Sequence, residues 1–240
     1  MMKNRPLVTL HSGAIGTPPN SLDYLKTAAS LKPDIIEVDV RRTGDDVAVL
    51  CHDPFIASGG KEYPLEQYSL KELRELKPDL VTLRDALVYS RENDLFLNLD
   101  LKTLSAADVL IYELNSLSQA QNIIITGCFR EEASYLRKRI SDLRVLLNVE
   151  DDDLNIPAEE YMDAVRSIVS EASHLGCCGL NLNYLYCRDE LVKYAALRSL
   201  PVMVWTIDEA EEMRRFRDMG VYSITTNRID LLLELRESAG

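Results

Sequence analysis

The chain is predicted to be an α/β protein folded as a (β/α)₈, or TIM, barrel carrying one extra hairpin strand and a short insertion after it. Three observations predict this. The 240 residues suit one barrel-sized domain rather than a small two-layer one. Short β-rich apolar runs alternate with longer helical ones along the whole length. With the hairpin strand set aside, eight β-runs are counted, nearly all followed by a helix. No low-complexity stretch or Pro/Gly/Ser linker divides the chain, so residues 1–240 read as a single domain.

The elements follow in order. Residues 7–10 form a strand, and Ser21 caps a helix running to about Leu31. Residues 35–40 form the second strand. Gly44-Asp45-Asp46 turns the chain, and residues 47–51 pair back as a hairpin strand. A long connection, about 54–79, holds a short helical piece at 69–76; such an insertion at the catalytic rim is a candidate substrate-facing cover, with packing filler as the alternative. Then come the helix 83–92, strand 95–99, helix 105–118, strand 123–126, helix 131–140 and strand 144–147. The helix 158–174, strand 179–182, helix 190–198 and strand 202–205 follow. The helix 208–218, strand 221–225 and helix 229–237 complete the pattern.

Composition narrows the function. With 27 Lys and Arg against 39 Asp and Glu, the formal charge is −12. That argues against nucleic-acid binding, which draws on cationic surface, and against docking on anionic lipid by charge alone. No apolar run approaches the roughly 20 residues of a membrane span, so no stable membrane insertion is expected. The N-terminal six residues lead into a strand rather than a signal-peptide core. Five scattered cysteines read as reduced thiols in a cytoplasmic protein, with Cys177-Cys178 as small residues at a strand start.

In a parallel barrel the active site lies at the C-terminal strand ends. His11 ends the first strand, Glu37 and Asp39 the second, His52 the hairpin strand, Asp100 the third and Trp205 the seventh. Glu37 and Asp39, two apart on a strand, share one face. Two buried carboxylates need compensation; a divalent cation bound to hard oxygens, Mg²⁺ or Ca²⁺, supplies it, and a polar strand end with surface acids is the alternative. Asp100 and Lys102 repeat the spacing, with Lys102 able to meet a phosphate oxygen or simply to pair with Asp100. His11 and His52 titrate near neutral pH and form a natural acid–base pair. Trp205 packs against a substrate or closes the core. Ser12 and Cys51 lie in no nucleophile signature, and His174 belongs to a helix C-terminus.

These residues resemble the glycerophosphodiester phosphodiesterase family, a branch of the barrel-fold phospholipase C-like phosphodiesterases. The family reads His-Arg-Gly, Pro-Glu-Asn-Thr, Glu-x-Asp-Val, Thr-x-Asp-Gly, His-Asp, Glu-x-Lys, Ser-Phe, Trp-Thr and Gly-Val…Thr-Asp. The chain reads His11-Ser12-Gly13, Pro18-Pro19-Asn20-Ser21, Glu37-Val38-Asp39-Val40, Thr43-Gly44-Asp45-Asp46, His52-Asp53, Asp100-Leu101-Lys102, Cys128-Phe129, Trp205-Thr206 and Gly220-Val221…Thr226-Asn227. The resemblance implies that Glu37, Asp39 and Asp100 bind the metal and that His11 and His52 exchange protons. It also implies that Lys102, Trp205 and Phe129 meet a small-molecule phosphodiester. The implied products are glycerol 3-phosphate and an alcohol. The chain departs from the pattern at Ser12 for arginine, Pro19 for glutamate, Asp100 for glutamate and Asn227 for aspartate. Those departures leave two other readings open: a different diester or a lysolipid as substrate, or a non-catalytic binding derivative.

Overall fold

The computed structural model describes residues 5–118 and 121–237. The first residues of the N-terminal stretch, 1–4, lie outside them. The strands and helices run β1 (Leu7–Leu10), α1 (Leu22–Leu31), β2 (Ile35–Arg42), β3 (Ala48–Leu50), β4 (Phe55–Ser58), β5 (Lys61–Pro64), α2 (Leu70–Leu76) and α3 (Leu83–Glu92). They continue as β6 (Leu97–Leu101), α4 (Ala107–Leu117), β7 (Ile123–Thr126), α5 (Arg130–Arg139), β8 (Arg144–Asn148), α6 (Asp151–Leu154) and α7 (Ala158–Leu175). The last are β9 (Gly179–Asn183), α8 (Asp189–Ala196), β10 (Val202–Trp205), α9 (Ala210–Met219), β11 (Ser223–Thr226) and α10 (Ile229–Glu237).

Eight parallel strands close on themselves in the order β1, β11, β10, β9, β8, β7, β6, β2, with β2 returning to β1. β3 pairs antiparallel with the far end of β2, as the hairpin reading expects. Side-chain alternation sorts each strand into an outer and an inner set. The outer set, such as Val38, Val40, Leu99 and Leu101, is fully or almost fully buried under the helices. The inner set changes character along the barrel axis. Its lower layer is an apolar plug of Ile35, Ile124, Leu146 and Met203, with Leu7 and Phe96 against it. Above it lie buried polar side chains at the same parity: Thr9, Glu37, Asn98, Thr126, Asn181 and Thr225. The plug fills the N-terminal end of the barrel interior, and the polar layer faces the C-terminal mouth.

The sequence places several helix starts by their caps. Ser21 accepts a hydrogen bond from the backbone N–H of Tyr24 at 3.0 Å. Ser69 with Glu72, and Thr82 with Asp85, form reciprocal capping boxes on α2 and α3.

Two differences from the sequence reading bear on the site. The third barrel strand begins two residues later than expected and includes Asp100. Register decides this: β6 pairs with β2 from Ile36↔Leu97 through Val40↔Leu101. The insertion is also more ordered than a helical piece on a loop. It folds as a β4–β5 hairpin plus α2, around a separate cluster of Val49, Cys51, Ile56, Leu65, Leu73 and Leu80. It rests on β3, and no residue from 54–79 lines the central cavity. The expected cover is thus a side lobe that supports the strand leading to His52.

Candidate active site

The parallel register of β2 and β6 puts Asp39 directly beside Asp100, and Glu37 beside Asn98 one layer lower. One ligand atom from each of Glu37, Asp39 and Asp100 lies within 4.8 Å of the others. Lys102 reaches back from the end of β6 into this cluster. Its Nζ is 2.7 Å from Asp39 Oδ1 and also donates to Asp100.

The carboxylates are held in place by neutral groups. Glu37, 5% exposed, accepts the backbone N–H of Ser12 at 2.8 Å. Asn20 clamps Asp39 twice: its amide donates to Oδ2 at 2.7 Å, and its oxygen accepts the backbone N–H of Asp39 at 2.9 Å. Asn20 does so from a left-handed backbone conformation, φ 57°, which asparagine tolerates better than most side chains. Thr126 donates to Asp100 at 3.0 Å. Gly13, at φ +80°, is required where the first loop folds tightly, because an added Cβ would sit 2.9 Å from Pro19.

Electrostatics follow from this packing. Burial, reinforced by the charges of Asp39 and Asp100, pushes the Glu37 carboxyl well above its usual range. Burial opposes the charge on Lys102, but Asp100 and Asp39 outweigh it and hold the ammonium more firmly protonated than usual. One lysine thus offsets one of three neighbouring carboxylates. The all-oxygen donor set, buried at Glu37 and Asp39 and half-buried at Asp100, fits a hard divalent cation.

A cavity of about 280 Å³ opens over the cluster. His11, Glu37, Asp39, His52, Asp100, Lys102 and Trp205 all line it. The structure therefore brings together seven of the eight residues singled out from sequence. Phe129 is the exception: it lies 38% exposed on the wall of an adjoining cavity of about 430 Å³. Asn148 borders both cavities.

The histidines differ in setting. His11 is half-buried, with Nδ1 3.0 Å from Asn227 Oδ1. His52 is exposed at the edge of the insertion, with Nδ1 2.9 Å from Asp53 Oδ1. Ser12, at the position where the resemblance expects arginine, is turned inward: its hydroxyl accepts the backbone N–H of Asn20 at 2.9 Å. Among the described residues, Lys102 is the cationic side chain on the cavity wall. All five cysteines are free thiols; of the adjacent pair, Cys177 is a buried core residue and Cys178 is exposed.

Sequence reasoning missed the polar layer of Asn98, Asn148, Asn181 and Thr225, which lines the cavity floor. Each of these side chains has the inward parity of its strand, and a polar residue at that parity was the available signal. It also missed Asp208, expected at the start of a helix. That helix begins at Ala210, and Asp208 instead accepts hydrogen bonds from Thr226 and Asn227.

A parallel barrel with proton-exchanging and charged groups gathered at its strand ends is built as an enzyme. The chain belongs to the glycerophosphoryl diester phosphodiesterase family, phosphoric diester hydrolases, whose family model matches residues 11–231. It is 28% identical over 244 residues to the Mycobacterium tuberculosis protein named "Probable glycerophosphodiester phosphodiesterase 2", across 93% of this chain and 87% of that one. A glycerophosphodiester phosphodiesterase from Parabacteroides distasonis has a similar fold, with TM-score 0.81, 22% identity and 98% of each chain covered. An Oleispira antarctica phosphodiesterase solved with its product sn-glycerol-3-phosphate is similar too, with TM-score 0.77, 20% identity and 95% and 97% coverage of this chain and that one. Among the described residues no helix is long and apolar enough to cross a membrane.

Proposed function

We propose that the protein hydrolyses glycerophosphodiesters to glycerol 3-phosphate and an alcohol, in the cytoplasm, with Mg²⁺ or Ca²⁺ held by Glu37, Asp39 and Asp100. The observation that carries this reading is the meeting of two histidines, three carboxylates and Lys102 on one cavity wall. When bound, the cation would draw charge from the phosphoryl oxygens and orient the diester. Lys102 donates to a phosphoryl oxygen from the same side and stabilises the charge that builds there. One histidine takes the proton of the attacking oxygen, from water or from the neighbouring glycerol hydroxyl. The other gives a proton to the departing alcohol as its bond to phosphorus breaks. The polar floor of Asn148, Asn181 and Thr225 offers hydrogen-bond partners to glycerol hydroxyls. A cavity of about 280 Å³ is just below the roughly 300–1,000 Å³ of sites that enclose a drug-sized ligand, which fits the glycerophosphate half with the alcohol outside.

A second reading, a bulkier diester such as a lysolipid, rests on the adjoining cavity beside Phe129. Product identification by ³¹P NMR separates the readings. With glycerophosphocholine the expected product is glycerol 3-phosphate; a clear preference for a lysolipid favours the second. His11→Ala and His52→Ala should each lower kcat by about 10²–10⁴-fold with KM little changed. Turnover by both variants at the wild-type rate rules out the acid–base assignment.

A further inference from the structure

Resting on the reading of His11 as a proton-exchanging group, we propose that Asp208 and Asn227 are positioning residues that fix the ring and tautomer of His11. Asn227 Nδ2 lies 2.9 Å from Asp208 Oδ2. A carboxylate accepts and does not donate, so the amide nitrogen faces Asp208 and the amide oxygen faces His11. That oxygen, 3.0 Å from His11 Nδ1, also only accepts. His11 Nδ1 therefore carries the hydrogen, and Nε2 keeps the lone pair. A free histidine side chain in water prefers the opposite tautomer, so the choice is imposed by the chain.

Asp208 is itself anchored. Its other oxygen accepts the backbone N–H of Asn227 at 2.7 Å and the Thr226 hydroxyl at 3.1 Å. Ile207, one residue earlier, is tied to Thr225 by a backbone hydrogen bond of 2.9 Å. The backbone N–H of His11 donates to Thr226 at 3.0 Å. His11 is thus held by backbone and side chain to one turn, and that turn is held by Asp208. The pair also accounts for Asn227 standing where the resemblance expects aspartate. With Asp208 opposite, an aspartate at 227 would set two carboxylates against each other; asparagine supplies the donor that Asp208 needs and the acceptor that His11 needs.

The test reads the tautomer directly, independently of activity. Long-range ¹H–¹⁵N spectra of the metal-free protein at about pH 8.5, above the histidine titration range, resolve the three histidines. Wild-type His11 should show a protonated Nδ1 and an unprotonated Nε2. Asp208→Asn and Asn227→Ala should shift it toward the Nε2–H form and lower kcat about ten-fold or more with KM within about two-fold. Asn227→Asp alone still offers His11 an acceptor and should keep the Nδ1–H form, but its carboxylate opposes Asp208 and should lower kcat. The double variant Asp208→Asn with Asn227→Asp exchanges donor and acceptor between the two positions, and should show the Nδ1–H form with most of the wild-type kcat. A wild-type His11 in the Nε2–H form overturns the proposal, even if every variant fails to fold. So do folded Asp208→Asn and Asn227→Ala variants that keep Nδ1–H. If no phosphodiester is turned over, the catalytic reading fails while the tautomer result still decides this one.

Discussion

Lys102 Nζ lies 2.7 Å from Asp39 Oδ1 and also donates to Asp100, so one ammonium bridges two of the three clustered carboxylates. The lysine is an internal counter-ion of the acidic cluster, and it competes there with any bound cation. Removing it should therefore separate metal binding from catalysis. Lys102→Met should bind Mg²⁺ or Ca²⁺ at least as tightly as wild type by calorimetry. Its kcat/KM should fall by about 10²–10³-fold, the loss typical of an electrostatic donor to the transition state. Weaker metal binding by the variant would contradict this account of Lys102.

The cation proposal has its own thermal test. A ligand at 100 times its Kd stabilises the folded state by about 2.7 kcal/mol. Millimolar Mg²⁺ or Ca²⁺ should raise the Tm of wild type by several degrees, and Glu37→Gln or Asp39→Asn should lose the rise. Equal rises in wild type and variants would place the ion elsewhere.

Restoring the family residue at position 12 should not improve the enzyme. Ser12 is 7% exposed, and its hydroxyl receives the Asn20 backbone N–H that sets the clamp on Asp39. An arginine there removes the hydroxyl that accepts the Asn20 N–H and adds a long side chain at a buried position. Ser12→Arg should cost about 1–3 kcal/mol of stability, as overpacking does, and lower kcat/KM. Denaturant melts and initial rates check this; a stable variant with higher kcat/KM would contradict it.

Much of the site was legible because strand alternation needs no tertiary information. The pairs Glu37/Asp39 and Asp100/Lys102 and the strand-end His11 follow from period-two geometry and strand ends alone. Less visible were features set by register and by contacts distant in sequence. Pairing with β2 moved the β6 boundary to include Asp100. Asp208 and Asn227 come together only because β10 and β11 are neighbours in the closed barrel. The β4–β5 hairpin turns through Gly59 and Gly60, both at positive φ, in a stretch whose flanking strands are only four residues each.

Alkaline pH should reveal how the rim after β9 is held. Tyr161 is buried; its hydroxyl donates to the Tyr186 carbonyl at 2.8 Å and accepts the Arg188 backbone N–H at 3.1 Å. Burial pushes its phenol up to about 12, against about 10 in an unfolded chain. The folded state then holds this proton more tightly than the unfolded one. Its contribution, on the order of 2 kcal/mol, is complete below about pH 10 and lost as pH rises through about 12. Tyr161→Phe should flatten the fall of stability across that window by one proton; parallel curves would contradict it.

The central claim is that the acidic cluster and the histidine-rimmed cavity cleave a glycerophosphodiester with the help of a divalent cation. Release of glycerol 3-phosphate from glycerophosphocholine, before and after EDTA treatment, tests it most directly. The account predicts release that EDTA abolishes and that added Mg²⁺ or Ca²⁺ restores. Undiminished release in EDTA, or none with either ion, would contradict it.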